Sequence, residues 1–168
     1  MSGEELVTAA RSASNDFGVK CSKFSGAVTV ELLKRALEEE GIPTSARDVF
    51  VRGVPVEIDL VIPRRGEKPS LGLVYEPRQV AVALEIKKTG SFGEQTLQTV
   101  RNNFTLLSER KVTYAYVTLE ERKNYRWAAS EKNLGFRCFT FACHKATHGP
   151  LETTEDWASL VKFLRECL

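Results

Sequence analysis

Val80-Ala81-Val82-Ala83-Leu84-Glu85-Ile86-Lys87-Lys88 decides the fold of this chain. It begins as an apolar run with β-branched residues and no Gly or Pro, the signature of a strand buried in the centre of a sheet. At its C-terminal end it turns charged. Side chains alternate along a strand, so Glu85 and Lys87 share one face and Leu84 and Ile86 the other. Ala81 and Ala83 are expected beside the charged pair, leaving room there. A carboxylate and an ammonium at the end of a buried strand require a partner or a task. The preceding apolar stretch, Val54 to Ile62, supplies a third group, Asp59, set among Val56, Ile58, Leu60 and Ile62.

The other elements follow from periodicity and punctuation. A short helix is expected at Glu4–Ala13, then a polar, turn-rich stretch to Gly26. A longer helix at about Ala27–Glu40 has Val30, Leu33, Ala36 and Leu37 at helical spacing, and Gly41 and Pro43 end it. Asp48–Arg52 reads as a short strand, and Gly53 turns the chain into the strand Val54–Ile62. Pro63, Pro69 and Pro77, with Gly66 and Gly72, make the next stretch a long loop or extended hairpin arm. After the central strand and a turn at Thr89-Gly90-Ser91, a helix at about Gly93–Arg110 turns Leu97, Val100, Phe104 and Leu107 inward and Gln95, Gln98 and Asn102 outward. Val112–Leu119 is a strand, Glu121–Lys132 a helix, Phe136–Cys143 a strand, His144–Glu152 a loop and Thr154–Cys167 a closing helix. The order predicts an α/β sandwich around a mixed sheet.

Bulk properties narrow the function. The chain has 168 residues, enough for one domain with a real core; residues 1–26 read as an N-terminal helical extension of that domain. A net charge of +2 makes any nucleic-acid contact local, not global. No apolar stretch approaches a membrane span, and Met1 to Ser12 lacks the basic-then-apolar layout of a signal peptide, so the cytoplasm is the expected location. Cys21, Cys138, Cys143 and Cys167 have neither C-x-x-C nor zinc spacing. His144 and His148 are four apart, but Pro150 argues against the helix a metal pair would need. Trp127 and Trp157 read as core.

Asp59 and Glu85 offer hard oxygen ligands of the kind Mg²⁺ or Mn²⁺ takes, one or two carboxylates with waters and a phosphate, and the carbonyl of Ile86 offers a third oxygen. Lys87 stands where it can hold water and offset phosphate charge. In this arrangement Glu57-Ile58-Asp59, then Glu85-Ile86-Lys87 on the next long strand, resembles the PD-(D/E)XK nuclease superfamily, which includes restriction endonucleases, Holliday junction resolvases and RecB-like nucleases. Ile58 stands where the superfamily name has Pro, and the arm is longer than the tight hairpin of many relatives. The resemblance covers about Glu31 to Leu119. It implies a restriction-endonuclease-like three-layer sandwich, a central mixed sheet flanked by helices, and a metal-dependent nuclease acting on DNA. It also implies catalytic roles for Asp59, Glu85 and Lys87, with Glu31 on the first helix at a metal-bound water and Gln95 and Gln98 as polar helix residues of the site. Many relatives work as homodimers, and one sequence does not reveal an interface.

Positive charge for a phosphate backbone is offered by Arg64, Arg65 and Lys68 on the arm and by Lys88, although loops are also basic for solubility alone. Two other readings stand beside the enzyme: a non-catalytic nucleic-acid-binding module on the same fold, and a structural protein whose charged cluster is an ion-pair network.

Overall fold

The computed structural model describes residues 1–90, 94–121, 135–144 and 149–168. Helix α1 (Gly3–Asp16) starts at a capping box in which Ser2 and Glu5 satisfy each other's backbone N–H. Helix α2 spans Ser22–Glu39. The turn that ends it is set by Gly41 at φ 74°, with Gly41 N–H donating to Glu38 and Ile42 N–H to Leu37. Strands β1 (Val49–Val51), β2 (Glu57–Ile58), β3 (Leu60–Pro63) and β4 (Val74–Tyr75) precede a 3₁₀ turn at Pro77–Gln79. Then come β5 (Val80–Gly90), α3 (Glu94–Glu109), β6 (Thr113–Glu121), β7 (Arg137–His144), β8 (Leu151–Thr153) and α4 (Asp156–Cys167).

The main sheet has the order β3-β5-β6-β7-β8. Its centre, β5-β6-β7, is parallel, and both outer strands run antiparallel to their neighbours. A second sheet, β2-β1-β4, is separate. Leu84, Ile86, Val117 and Phe139 on one face of the main sheet pack against Leu6 and Ala10 of α1, Leu33 and Leu37 of α2, and Leu160 and Leu164 of α4. Val61, Ala83, Tyr114 and Tyr116 on the other face pack against Val100 and Leu107 of α3 and Val49 and Val51 of β1. Helices, sheet, then helix with small sheet make three layers around a mixed sheet. A strand buried on both faces needs apolar residues at every position, which is why β5 shows no polar alternation until it leaves the core.

The expected strand Val54–Ile62 is in fact two strands in two sheets. Val54 N–H closes a turn onto Val51, and Pro55 has no N–H to give a ladder. Ile58 then pairs with Val49 in the small sheet, whereas Leu60 pairs with Leu84 in the main one. Asp59 alone makes the crossing. Ala81 also differs from expectation: the β3–β5 register slips between Ile62 and Pro63, whose partners are Val82 and Val80. The bulged Ala81 joins the core on the Leu84 face, not the charged one.

Residues expected as turns at Ser14–Gly26 are partly helical, because the exposed first turn of α2 needs no apolar periodicity once Cys21 Sγ accepts Phe24 N–H at the cap. The expected loop at His144–Glu152 contributes its last residues to β8, and Glu121 ends β6. The rest of the helix expected at Glu121–Lys132, with Trp127, lies outside the described residues, as does His148.

The arm is clamped to the body. The Gln79 side chain is buried; its Oε1 accepts from Ser70 Oγ at 3.1 Å and Glu76 N–H at 2.7 Å. Its Nε2 donates to Glu67 Oε2 at 3.0 Å and the Lys68 carbonyl at 2.8 Å. Replacing Gln79 with Ala removes an amide that organises four arm groups and should cost roughly 1–3 kcal/mol. Urea denaturation measures that loss, and limited proteolysis should show new cleavage between residues 64 and 76; a parent-like pattern would mean the arm is held elsewhere.

Candidate active site

The site forms where Asp59 crosses between the sheets. Beyond Leu84, β5 has no β3 backbone beside it, and the Asp59 carboxylate takes the place of the missing strand: Oδ2 accepts the Ile86 N–H at 2.7 Å. The N–H and C=O of one strand residue leave toward the same edge, so the Ile86 carbonyl also faces the Asp59 side. Asp59 is held from behind by Asp48, whose N–H donates to the Asp59 carbonyl at 3.2 Å. Asp48 itself has φ 56°, a left-handed conformation that Asp tolerates better than most residues.

Lys87 joins the two acids. Its Nζ lies 2.6 Å from Glu85 Oε1 and 3.7 Å from Asp59 Oδ2. Glu85 is 13% exposed, Asp59 25% and Lys87 40%. Burial raises the Glu85 pKa and the Asp59 charge raises it further, against the opposing pull of Lys87. Burial acts to lower that of Lys87, but Glu85 and Asp59 outweigh it and hold the ammonium above its ordinary value. Two carboxylates that repel each other beside one half-buried ammonium form a site that welcomes positive charge. Asp59 and Glu85, with the Ile86 carbonyl, fit a hexacoordinate hard cation that keeps several of its waters. No cluster of three or more acidic, His or Cys side chains suited to a metal occurs among the described residues, so an all-protein cage is not on offer.

Asp59, Ile86 and Lys87 open into a cleft of about 370 Å³. Asp59, Ile86, Lys87 and Lys88 line one side with Glu57 and Asp48; Lys23, Gly26, Ala27 and Val30 of α2, with Arg47, line the other. Tyr116 pairs in register with Glu85 and Tyr114 with Ala83. Burial pushes both phenol pKa values up, and the Glu85 charge adds to it. The Tyr114 hydroxyl has no hydrogen-bond partner among the described residues.

The structure therefore brings Asp59, Glu85, Ile86, Lys87 and Lys88 together. It places the other expected residues elsewhere. Glu31 is bound to Arg35 at 3.0 Å and approaches Arg47 at 4.0 Å, reaching the cleft only through that arginine. Gln95 and Gln98 are exposed on α3, and Gln98 bonds Asn102 on its own helix. Arg64, Arg65 and Lys68 follow the far end of β3, roughly 17 Å of strand from Asp59. Arg64 is tied down there, its Nε donating to the Arg78 carbonyl. Sequence reading missed Lys23 and Arg47, because neither belongs to a pattern on its own element and only the approach of α2 to the end of β5 gives them a place.

No family model matches the chain, and no curated protein sequence matches it. Solved structures do. The chain is similar to NucC of P. aeruginosa in its cAAA-bound form, with a TM-score of 0.69 at 12% identity over 98% of this chain and 88% of that one. It is similar to E. coli NucC, also cAAA-bound, with a TM-score of 0.59 at 12% identity over 98% and 87% of the two chains. At that identity the likeness speaks for the fold, and the fold is the restriction-endonuclease-like one.

The Asp59–Ile86 bond separates two substitutions that both remove the charge. Asp59→Asn keeps an acceptor for the buried N–H; Asp59→Ala leaves it unmet, at about 1–3 kcal/mol. Thermal melts should therefore show Ala several degrees below Asn. Equal losses would show that the hydrogen bond does not hold β5 at this point.

Proposed function

We propose that the chain is a metal-dependent nuclease that hydrolyses phosphodiester bonds in DNA. The observation that carries this reading is the convergence of Asp59, Glu85 and Lys87 at the end of a buried strand, in a cleft with lysines and an arginine along its walls. Asp59, Glu85 and the Ile86 carbonyl would hold Mg²⁺ or Mn²⁺. Such an ion, when bound, polarises phosphate oxygens and makes water a better nucleophile at neutral pH.

The protein's own groups do the rest. Lys87, kept protonated by its two carboxylates, donates to the attacking water or to a phosphate oxygen and offsets the charge that builds there. Ile86 N–H fixes the Asp59 carboxylate so that it faces the cleft without searching rotamers. Lys88 makes no ion pair among the described residues and is available to a neighbouring phosphate. DNA is the nucleic acid this reading takes, as it is for the superfamily the motif resembles. The two solved neighbours hold cAAA, so cAAA belongs among the conditions tested.

One observation favours a second reading. Lys87 ion-pairs with both carboxylates, as it would in a domain that binds nucleic acid without cutting it. The two readings part in one assay. Supercoiled, linear and branched DNA are incubated with the protein and Mg²⁺ or Mn²⁺, with and without cAAA. Cleavage should require the metal, stop with EDTA, and fall by about 100-fold or more in Glu85→Gln and Lys87→Ala that melt as folded proteins. DNA binding with no turnover under every condition would establish the binding module, and variants that cut at the parent rate would remove these residues from the chemistry.

A further inference from the structure

Gly26 lies within the second turn of α2, on the wall that faces Asp59 and Lys87 across the cleft. Glycine inside a helix weakens it relative to almost any other residue, and a packing neighbour usually accounts for its presence. Here none does: a Cβ at Gly26 would meet nothing within 4 Å among the described residues. Its φ is not among the left-handed ones, so the backbone does not require glycine either.

The residues around the bare backbone are basic. Lys23, one turn earlier, is exposed and makes no ion pair among the described residues. Arg47 is clamped beside α2, its Nη1 donating to the Ala27 carbonyl at 3.1 Å and its Nε 4.0 Å from Glu31. One carboxylate shared with Arg35 leaves the guanidinium with donors to spare. Asp48, Glu57 and Asp59 face this wall from the sheet side with Lys87 and Lys88, so the sheet side mixes acids and bases and the helix side is basic alone.

We infer that the wall formed by Lys23, Gly26 and Arg47 seats the phosphate next to the scissile one, the missing side chain at 26 letting the sugar–phosphate backbone lie against α2. This rests on the nuclease reading. A strand whose scissile group sits between Asp59 and Lys87 must put its neighbouring phosphates along the walls, where backbone contacts set register without reading sequence. Arg47 supplies a preorganised fork for phosphate oxygens, Lys23 a mobile charge. Glu31 is then a positioning residue that aims Arg47.

The test pairs stability with binding, using fluorescent duplex DNA titrated in Ca²⁺ at several salt concentrations. Gly26→Ala and Gly26→Gln, both better helix formers, should melt roughly 2–4 °C above the parent. Gly26→Gln should nonetheless bind DNA about 10-fold more weakly, with its salt dependence unchanged. Lys23→Ala and Arg47→Ala should each flatten the slope of log K against log salt by about 1. Parent-like binding by Gly26→Gln, or unchanged slopes, would overturn the phosphate seat whether or not the parent cuts DNA. Tight parent binding with the expected variant losses but no cleavage would overturn the nuclease reading and keep the seat. A parent that does not bind DNA would overturn both.

Discussion

One residue, Asp59, leaves one sheet and enters another, and the site depends on how its polar groups are satisfied there. A strand that stops short leaves its neighbour with an orphaned N–H, which is costly in a buried place. The Asp59 carboxylate fills that role for Ile86, and the Asp48 N–H meets the Asp59 carbonyl. The same side chain is thereby a piece of the sheet and a member of the charged cluster. This coupling sets β5 against the crossing point, and so sets Glu85 and Lys87, the residues on either side of Ile86, against Asp59. Extending β3 back by two residues, to the position opposite Ile86, would supply it with a backbone acceptor and close the gap through which the cleft opens.

Burying three charges together is unfavourable unless each has a partner. Lys87 answers both acids, yet Glu85 remains harder to ionise than a free carboxylate, since burial and Asp59 together exceed what one ammonium returns. The cluster is left short of positive charge, and its remaining demand faces a cleft instead of the core. An ion-pair network built for stability would be closed, with the lysine shielded and the acids matched one to one. This one has its ammonium at 40% exposure and two acids to one base.

The fold was largely legible because burial on both faces of β5 leaves an unmistakable apolar run. The charged residues were legible because they break it. Asp59, Glu85 and Lys87 are each anomalous in their local setting, and period-two alternation then places the last two together. What local pattern could not show was geometry created by interruption. The sheet crossing at Asp59 looks like one continuous strand in sequence, since Ile58 and Leu60 are apolar in either sheet. The bulge at Ala81 moves one small side chain across the sheet without any Gly or Pro to announce it. Glu31, Gln95 and Gln98 were assigned by resemblance and by helix face, and a helix face does not say how far its side chains are from the end of a neighbouring strand.

The arm shows the opposite problem, a pattern that is real but in another place. Arg64, Arg65 and Lys68 are basic and exposed, yet β3 carries them away from Asp59, and Gln79 holds them there. Beside Lys87, the positive charge at the cleft comes from Lys23, Arg47 and Lys88, gathered by α2, the turn before β1 and the end of β5. The sheet side carries Asp48, Glu57 and Asp59 together with Lys87 and Lys88, and the α2 side only Lys23 and Arg47, so the field on an anion entering the cleft favours the α2 side. A phosphodiester is thereby drawn toward α2 while its path to the carboxylates stays repulsive. A cation between Asp59 and Glu85 would remove that repulsion, so metal and phosphate should favour each other's entry through charge alone.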